Sequence, residues 1–325
     1  MNNFLTIFLF VAFMTYLIGK AYKHIWHKFN LKDSTPSGFG IFLSLILIIF
    51  FTNNDDSHIQ SVSNLCIIFF AGLIYLLDDL KGLRPWLRIS IAFFTGILLF
   101  LNAASDETYT HLIMLCLIFL FGLTAVGLTN VVNFYDGADL NLATMIFISG
   151  LILVLFSDID SLDLQNIGVV MIAFSFGFGI HNRIPFSLYL GDAGSFTLAM
   201  LLLYFIISFA ISGINIPLEL ISVTALPLFD VFYVMLIRIN KKHNMLSRNY
   251  LHLYQRINIG YGSCFHIIPQ FISVIAIIIL ARSIEMSPLD KIWSLLIASF
   301  LFTPIFYIAC RFLFVERSYF FGDGK

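Results

Sequence analysis

Residues 111–139 read HLIMLCLIFLFGLTAVGLTNVVNFYDGAD. The first nineteen positions hold no Asp, Glu, Lys or Arg, and the next ten gather two asparagines, two aspartates and a glycine. About 20 apolar residues cross the hydrocarbon core of a bilayer as a helix, and lipid offers no partner to backbone N–H and C=O groups, so a run this even closes its hydrogen bonds within itself. Alternating barrel strands do not fit it. The stretch therefore predicts a membrane helix that delivers a polar cluster to one face of the bilayer.

Ten further apolar stretches surround it, giving the set 3–20, 38–53, 61–77, 87–103, 111–129, 142–157, 164–180, 193–213, 217–237, 263–281 and 291–312. They predict an all-α, polytopic helical membrane protein with about eleven transmembrane helices. With 59% hydrophobic and 11% charged residues and a mean hydropathy of +0.94, the 325-residue chain has too little polar surface for a soluble domain. A net charge of −1 lacks the basic footprint of a nucleic-acid binder. Cys66, Cys116, Cys264 and Cys310 form no CxxC pair and read as buried thiols. The first apolar run lacks a basic leader and a small-residue cleavage site, so it is expected to be a retained span.

Orientation follows from charge. With the N-terminus outside and the C-terminus cytoplasmic, sixteen of the eighteen lysines and arginines fall on the inner side, from Lys20, Lys23, Lys28 and Lys32 to Arg311, Arg317 and Lys325. Only Arg282 and Lys291 fall outside, where the loops carry Asp55, Asp56, Asp106, Glu107, Asp158, Asp160 and Asp163. No linker or internal repeat divides the chain. Residues 1–325 are expected to form a single integral membrane domain whose inner loops, 78–88, 129–141, 181–195 and 238–262, carry any chemistry.

Four polar constellations lie on that inner face. Asp78 and Asp79 are adjacent carboxylates that repel each other and resist desolvation, which calls for a cation or a proton. Lys81 and Arg84 follow them, either as partners or as phosphate ligands, and a solvated helix cap is an equal reading. Asn130, Asn133 and Asp136 recur at intervals of three, near one helical face, and Gly137 permits a sharp turn. Oxygen donors of this kind suit Mg²⁺, while a polar turn capping the next helix is the plainer alternative.

Asn182-Arg183-Ile184-Pro185 precedes Tyr189 and Gly191-Asp192-Ala193-Gly194-Ser195, in which Asp192 serves either as an N-cap or as an acidic ligand. Gly191 and Gly194 would let a phosphate approach the backbone. His252 and Arg256, four apart, can share a helical face toward an anion. Asp230, in an apolar span with Arg238 eight residues later, is an ionisable group that needs either a partner or a function. Tyr189 either stacks on a nucleotide base or packs as membrane aromatics commonly do.

In this order and on one side, the motifs resemble the polyprenyl-phosphate N-acetylhexosamine-1-phosphate transferases, most closely the branch that initiates bacterial O-antigen and enterobacterial common antigen. The resemblance runs from about Thr35 to Arg256 and rests on the paired Asp78 and Asp79, the NxxNxxDGxD motif from Asn130 to Asp139, Asn182 with Pro185, the GDAGS run and the HLYQR element from His252 to Arg256. It implies a catalytic set of Asp78, Asp79, Asp136, Asp192 and His252. It implies substrate binding by Lys81, Asn130, Asn133, Asp139, Asn182, Tyr189 and Arg256, and Mg²⁺, with Mn²⁺ as a substitute, on Asp192, Asp136 and Asp79.

The implied partners are a UDP-N-acetylhexosamine, a polyprenyl phosphate such as undecaprenyl phosphate, and the bilayer of a bacterial cytoplasmic membrane with the site facing the cytoplasm. Nucleic acid is not expected, and a homodimer is left open. Three positions depart from the pattern: Leu140 stands where the family has Gly after the second motif aspartate, Gly38-Phe39 replaces a double Gly, and Asn249, Tyr250 and Leu251 precede the HLYQR element. The implied reaction is transfer of a sugar-1-phosphate with release of UMP, either directly or through an aspartyl-phosphate. A secondary transporter, with Asp230 as its best residue, and an inactive relative are the competing readings.

Overall fold

The computed structural model describes residues 2–28, 35–52, 59–104, 109–158, 162–183, 188–211, 216–242, 250–262, 264–284 and 290–315. Lys32, Asp55, Asp56, Asp106, Glu107, Asp160, Ile184, Pro185, Arg248, Asn249, Arg317 and Lys325 lie outside them. Each of the predicted apolar stretches carries a helix: α1 (Asn2–Lys28), α2 (Ile41–Thr52), α3 (Ile59–Lys81), α4 (Pro85–Ala103), α5 (His111–Tyr135), α6 (Asn141–Phe156), α7 (Leu162–Asn182), α8 (Gly191–Ala210), α9 (Ile221–Asn240), α11 (Ile268–Ile284) and α12 (Asp290–Phe314). A short helix, α10 (Leu253–Tyr261), begins inside the HLYQR element.

Among the described residues nine helices are long and apolar enough to cross a membrane, while α2 and α6 are shorter apolar helices. The protein is thus an all-α, multi-pass membrane protein. Large apolar side chains such as Phe10, Phe70, Phe94, Leu112 and Phe300 are exposed on the helices, which in water would be a costly surface and in lipid is the expected one.

The helices group into two compact units, residues 1–136 with 146–217, and residues 137–145 with 218–325. In the first, α1 packs along α7 and α4 along α5, and α8 is flanked by α2, α3, α4 and α5. Every residue of α8 from Ala193 to Phe205 is buried. A helix that is apolar all round belongs inside a bundle, and this one opens with the GDAGS run, so the middle of the unit is also where the third acidic motif emerges.

The loop before α2 is built against that emergence. Gly40 N donates to the Leu190 carbonyl at 3.0 Å, Phe39 N to the Tyr189 carbonyl at 3.2 Å, and Tyr189 N to the Pro36 carbonyl at 2.9 Å. A Cβ on Gly40 would lie 2.0 Å from the Gly194 Cα, so the two backbones touch. The close approach expected of Gly194 is therefore made by the protein's own chain. Phe39, the departure from a double Gly, is fully buried and stacks on Phe174 and Phe178 of α7 at 5.9 and 5.7 Å, an aromatic seat that accepts its bulk.

In the second unit α9, α11 and α12 pack on one another and α10 lies on α12. Glu219, in a 3₁₀ turn at Leu218–Leu220, is buried and takes both Lys291 at 3.3 Å and Arg282 at 3.6 Å. The two basic residues that stand apart from the inner set thus share one carboxylate, which moderates the charge they would otherwise present. Replacing Gly40 by Ala is expected to destabilise the protein by about 1–3 kcal/mol through overpacking against Gly194. Thermal unfolding of the detergent-solubilised chain measures this, and an unchanged Tm would show that the loop yields freely.

Candidate active site

The first turn of α8 collects side chains from α3, α4, α5 and the segment before α2. Asp79, in the last turn of α3, accepts from the Asp192 amide at 3.1 Å, the Ala193 amide at 3.0 Å and the Ser37 hydroxyl at 2.8 Å. Both its oxygens are occupied in capping the helix. Gly191 has φ of 73°, and a Cβ there would lie 2.4 Å from both the Asp79 carboxylate and the Ser37 hydroxyl, so only glycine fits.

Asp78 turns the other way. Its Oδ1 accepts from the Leu83 amide, closing the loop to α4, and its Oδ2 lies 3.1 Å from Nη1 of Arg88. The same Nη1 donates to Oδ2 of Asp192 at 2.9 Å. One guanidinium therefore ties two carboxylates from different helices. Lys81 and Arg84, read from the sequence as partners of the aspartate pair or as phosphate ligands, are exposed.

From α5, Asn133 donates through Nδ2 to Oδ1 of Asp192. Asp136, the C-cap of α5, accepts a 3.4 Å hydrogen bond from the Ser195 hydroxyl. Asn130 turns away, donating to the Val126 carbonyl of its own helix at 2.9 Å, with its side chain exposed. A step of three residues rotates about 60° short of a full helical turn, so a triplet at that spacing drifts around the helix. Asn133 and Asp136 reach α8 while Asn130 does not. Asp136 lies beyond the membrane-spanning part of α5, and burial, with the Asp192 and Asp79 carboxylates beside it, pushes its carboxyl well above the usual range. The Ser195 hydrogen bond opposes that shift.

Asn182, at the end of α7, donates to the Leu188 carbonyl at 2.8 Å and so shapes the approach to α8. Tyr189 is half-exposed just before the acidic turn, its backbone paired with the segment before α2. Arg88, Ser37 and Ser195 are the functional candidates missing from the site read off the sequence. Arg88 had a legible signal: only residues 82–84 separate α3 from α4, so a side chain one turn into α4 must face one about a turn from the end of α3.

The second unit holds its own polar centre. Asp230 accepts from the Tyr307 hydroxyl at 2.6 Å and from the Leu253 amide at 2.9 Å, and pairs with Nδ1 of His252 at 2.9 Å. Arg311, fully buried, donates to the Leu251 carbonyl at 2.9 Å and to the Tyr307 hydroxyl at 3.1 Å. Asp230 thus has structural partners and anchors the start of α10, which carries Arg256 half-buried one turn later. Arg238 is buried in α9. In the 137–145 segment, the Asp139 carbonyl meets Nε2 of His266 at 2.8 Å, and burial raises the Asp139 carboxyl. Leu140 adopts φ of 67°, a left-handed conformation that glycine reaches without cost and leucine does not.

Among the described residues no group of three acidic, His or Cys side chains is placed to hold a metal ion by itself. The donor set still fits a hard cation. Mg²⁺ is usually held by one or two carboxylates, with water and substrate phosphate completing its shell, and Asp192 and Asp136 supply such oxygens beside Asn133 and Ser195.

Residues 61–210 match the glycosyl transferase family 4 profile. The chain is 29% identical over 232 residues to a phospho-N-acetylmuramoyl-pentapeptide-transferase of Streptococcus thermophilus (strain CNRZ 1066), covering 61% of this chain and 67% of that protein. A Dictyoglomus thermophilum protein of the same name is 26% identical over 225 residues, 60% of this chain and 69% of the relative. A "Probable undecaprenyl-phosphate N-acetylglucosaminyl 1-phosphate transferase" of Bacillus subtilis (strain 168) is 30% identical over 139 residues, 41% of this chain and 38% of the relative. The matched region contains the whole carboxylate cluster around α8.

Two outcomes follow from these geometries. A carboxyl whose folded pKa is raised favours the fold at low pH and loses that contribution as pH climbs toward the folded value. Asp136→Asn, neutral throughout, is therefore expected to raise the Tm of the cation-free protein by an amount that grows as the pH rises above the ordinary carboxyl range of about 4. A difference that stays constant as the pH rises would refute the shift. Asp230→Ala strips the acceptor from the Tyr307 hydroxyl and the Leu253 amide and is expected to cost roughly 3 kcal/mol or more. A variant that melts like the parent would show the network to be dispensable.

Proposed function

We propose that this chain, a member of the polyprenyl-phosphate sugar-1-phosphate transferase superfamily related to the phospho-N-acetylmuramoyl-pentapeptide transferases, transfers N-acetylhexosamine-1-phosphate from a UDP-sugar to a polyprenyl phosphate such as undecaprenyl phosphate. The observation that carries the reading is the meeting of Asp78, Asp79, Asn133, Asp136 and Asp192 at the first turn of one buried helix. In the transfer, an oxygen of the lipid phosphate bonds to the β-phosphorus of the donor. The bond from that phosphorus to the bridging oxygen breaks, and UMP leaves with the electron pair.

Both reactants are anions, so the barrier is largely electrostatic and positioning matters more than proton removal. A phosphate's second pKa is about 6, so most of the lipid nucleophile is already ionised at neutral pH. Asp78, paired with Arg88 and the Leu83 amide, acts by position. Asp79 holds the start of α8, and with it the direction in which Asp192 points. Asn133 fixes one oxygen of Asp192, and Ser195 orients Asp136. Mg²⁺ held by Asp192 and Asp136 would neutralise charge on the donor diphosphate as it passes to the leaving UMP.

Tyr189, half-exposed beside the turn, is placed to meet the nucleotide base, and Asn182 holds the segment that carries it. In the second unit, the HLYQR element supplies a histidine and an arginine suited to anions, and Asp230 fixes the histidine ring. Because the acceptor is a lipid, a site at the end of membrane helices lets the isoprenoid remain in the bilayer. We assign the protein to a bacterial cytoplasmic membrane, with this site on the cytoplasmic side. Asp230 was the strongest residue for a transporter, and its engagement with Tyr307, His252 and Leu253 gives it a structural reason to exist.

The test is release of UMP by purified protein supplied with divalent cation, polyprenyl phosphate and a panel of UDP-N-acetylhexosamines, with the lipid product identified by mass. Release that requires both lipid and cation is expected, and Asp192→Asn should lower it by about a hundredfold or more while leaving the protein folded. Uptake of a solute into vesicles without UMP formation would defeat the proposal.

A further inference from the structure

Both oxygens of Asp192 are engaged: Oδ1 accepts from Asn133 and Oδ2 from Arg88 at 2.9 Å. Among the described residues the Arg88 guanidinium is the cation that sits in this cluster of carboxylates, also reaching Oδ2 of Asp78 at 3.1 Å. Its main chain is fixed, because the Tyr75 hydroxyl donates to the Arg88 carbonyl at 2.8 Å and the Tyr75 ring stacks on Phe196 at 4.3 Å. Its side chain is less confined, with 35% of its surface exposed. Only Nη1 is engaged, and Nε and Nη2 meet no acceptor among the described residues.

A structural arginine in a buried network commonly uses several of its five donors at once. Here one nitrogen serves two carboxylates and the rest of the fork is unused, at an opening where Asp192 itself is 30% exposed. A divalent cation on Asp192 and the guanidinium on the same oxygen would repel each other at contact distance. The two occupancies therefore compete.

We infer that Arg88 is the resident counter-cation of the acidic cluster: it holds Asp78 and Asp192 together in the cation-free protein, gives up Asp192 when a divalent cation binds, and turns its unused donors to a phosphate oxygen of the nucleotide. An arginine suits this double duty because its planar fork can keep Nη1 on Asp78 while Nε and Nη2 face a second anion, a geometry that lysine lacks. The inference rests on the cation role proposed for Asp192 and is independent of the donor sugar.

The experiment measures Mn²⁺ binding by electron paramagnetic resonance to the full chain in detergent, without nucleotide or lipid, for the parent, Arg88→Gln, Arg88→Lys and Arg84→Gln. Arg84→Gln, at the exposed start of α4, removes the same unit of charge from a residue that meets no carboxylate among the described residues. Arg88→Gln is expected to bind Mn²⁺ about tenfold more tightly and Arg84→Gln within about twofold of the parent. With Mn²⁺ saturating, UDP should bind about tenfold more weakly to Arg88→Gln.

Unchanged or weaker Mn²⁺ binding by folded Arg88→Gln would overturn the inference, as would an equal gain in Arg84→Gln, which would reduce Arg88 to bulk charge. If the glutamine variant does not fold, the lysine variant decides: weakened UDP binding supports the role of the fork, and parental UDP affinity overturns it. A parent chain that binds no Mn²⁺ would remove the cation role of Asp192 and this inference together. Binding that is indifferent to Arg88 removes the inference alone.

Discussion

The carboxylate of Asp79 on the first amides of α8 is the contact that the first unit is organised around. The opening N–H groups of any helix lack partners inside the helix, and in a membrane protein no bulk water can be counted on to supply them. α8 is buried along nearly its whole length, so the problem is acute there. An aspartate from the last turn of a neighbouring helix solves it with a charged acceptor at the positive end of the helix dipole. Gly191 and Gly40 make the approach possible by having no Cβ at the two points where one would collide.

That cap has chemical consequences. It brings the last turn of α3, the first turns of α4 and α8 and the end of α5 together, and with them more carboxylates than the local cations can balance. Arg88 carries much of the compensation, Asn133 and Ser195 contribute neutral donors, and Asp136 is left with its carboxyl pushed upward by burial and by its neighbours. In the function proposed above, that excess of negative charge is what a divalent cation would relieve. The same imbalance that burdens the fold equips the site.

The second unit repeats the device with different residues. Asp230 accepts the first amide of α10, as Asp79 accepts the second and third of α8, and is supported by Tyr307 and His252 where Asp79 has Ser37. Arg311 closes that network from α12 by holding both the Tyr307 hydroxyl and the Leu251 carbonyl. An ionisable residue inside an apolar helix invites a transport interpretation when seen only in sequence. Its partners, which come from 22 and 77 residues away, turn it into a cap.

The sequence by itself determined what depends on local composition and spacing: the helical stretches, from their unbroken apolar length; the acidic motifs at their ends; and the resemblance that those motifs carry in order. Asn133, Asp136 and Asp192 were legible as site candidates because polar groups at the ends of membrane helices need a reason to be there. Tertiary structure alone decided which of them meet. Asn130 shares its motif yet points back to its own helix, because a three-residue step drifts around the helical axis. Asp79 and Asp78, adjacent in the chain, face different partners, one capping α8 and the other joining Arg88. Ser37 carries no motif, and while the short link between α3 and α4 sets Arg88 near Asp78, its contact with Asp192, like that of Ser37 with Asp79, closes a 104- or 42-residue separation by packing, because a hydrogen bond is set by distance in space and leaves no period in the sequence.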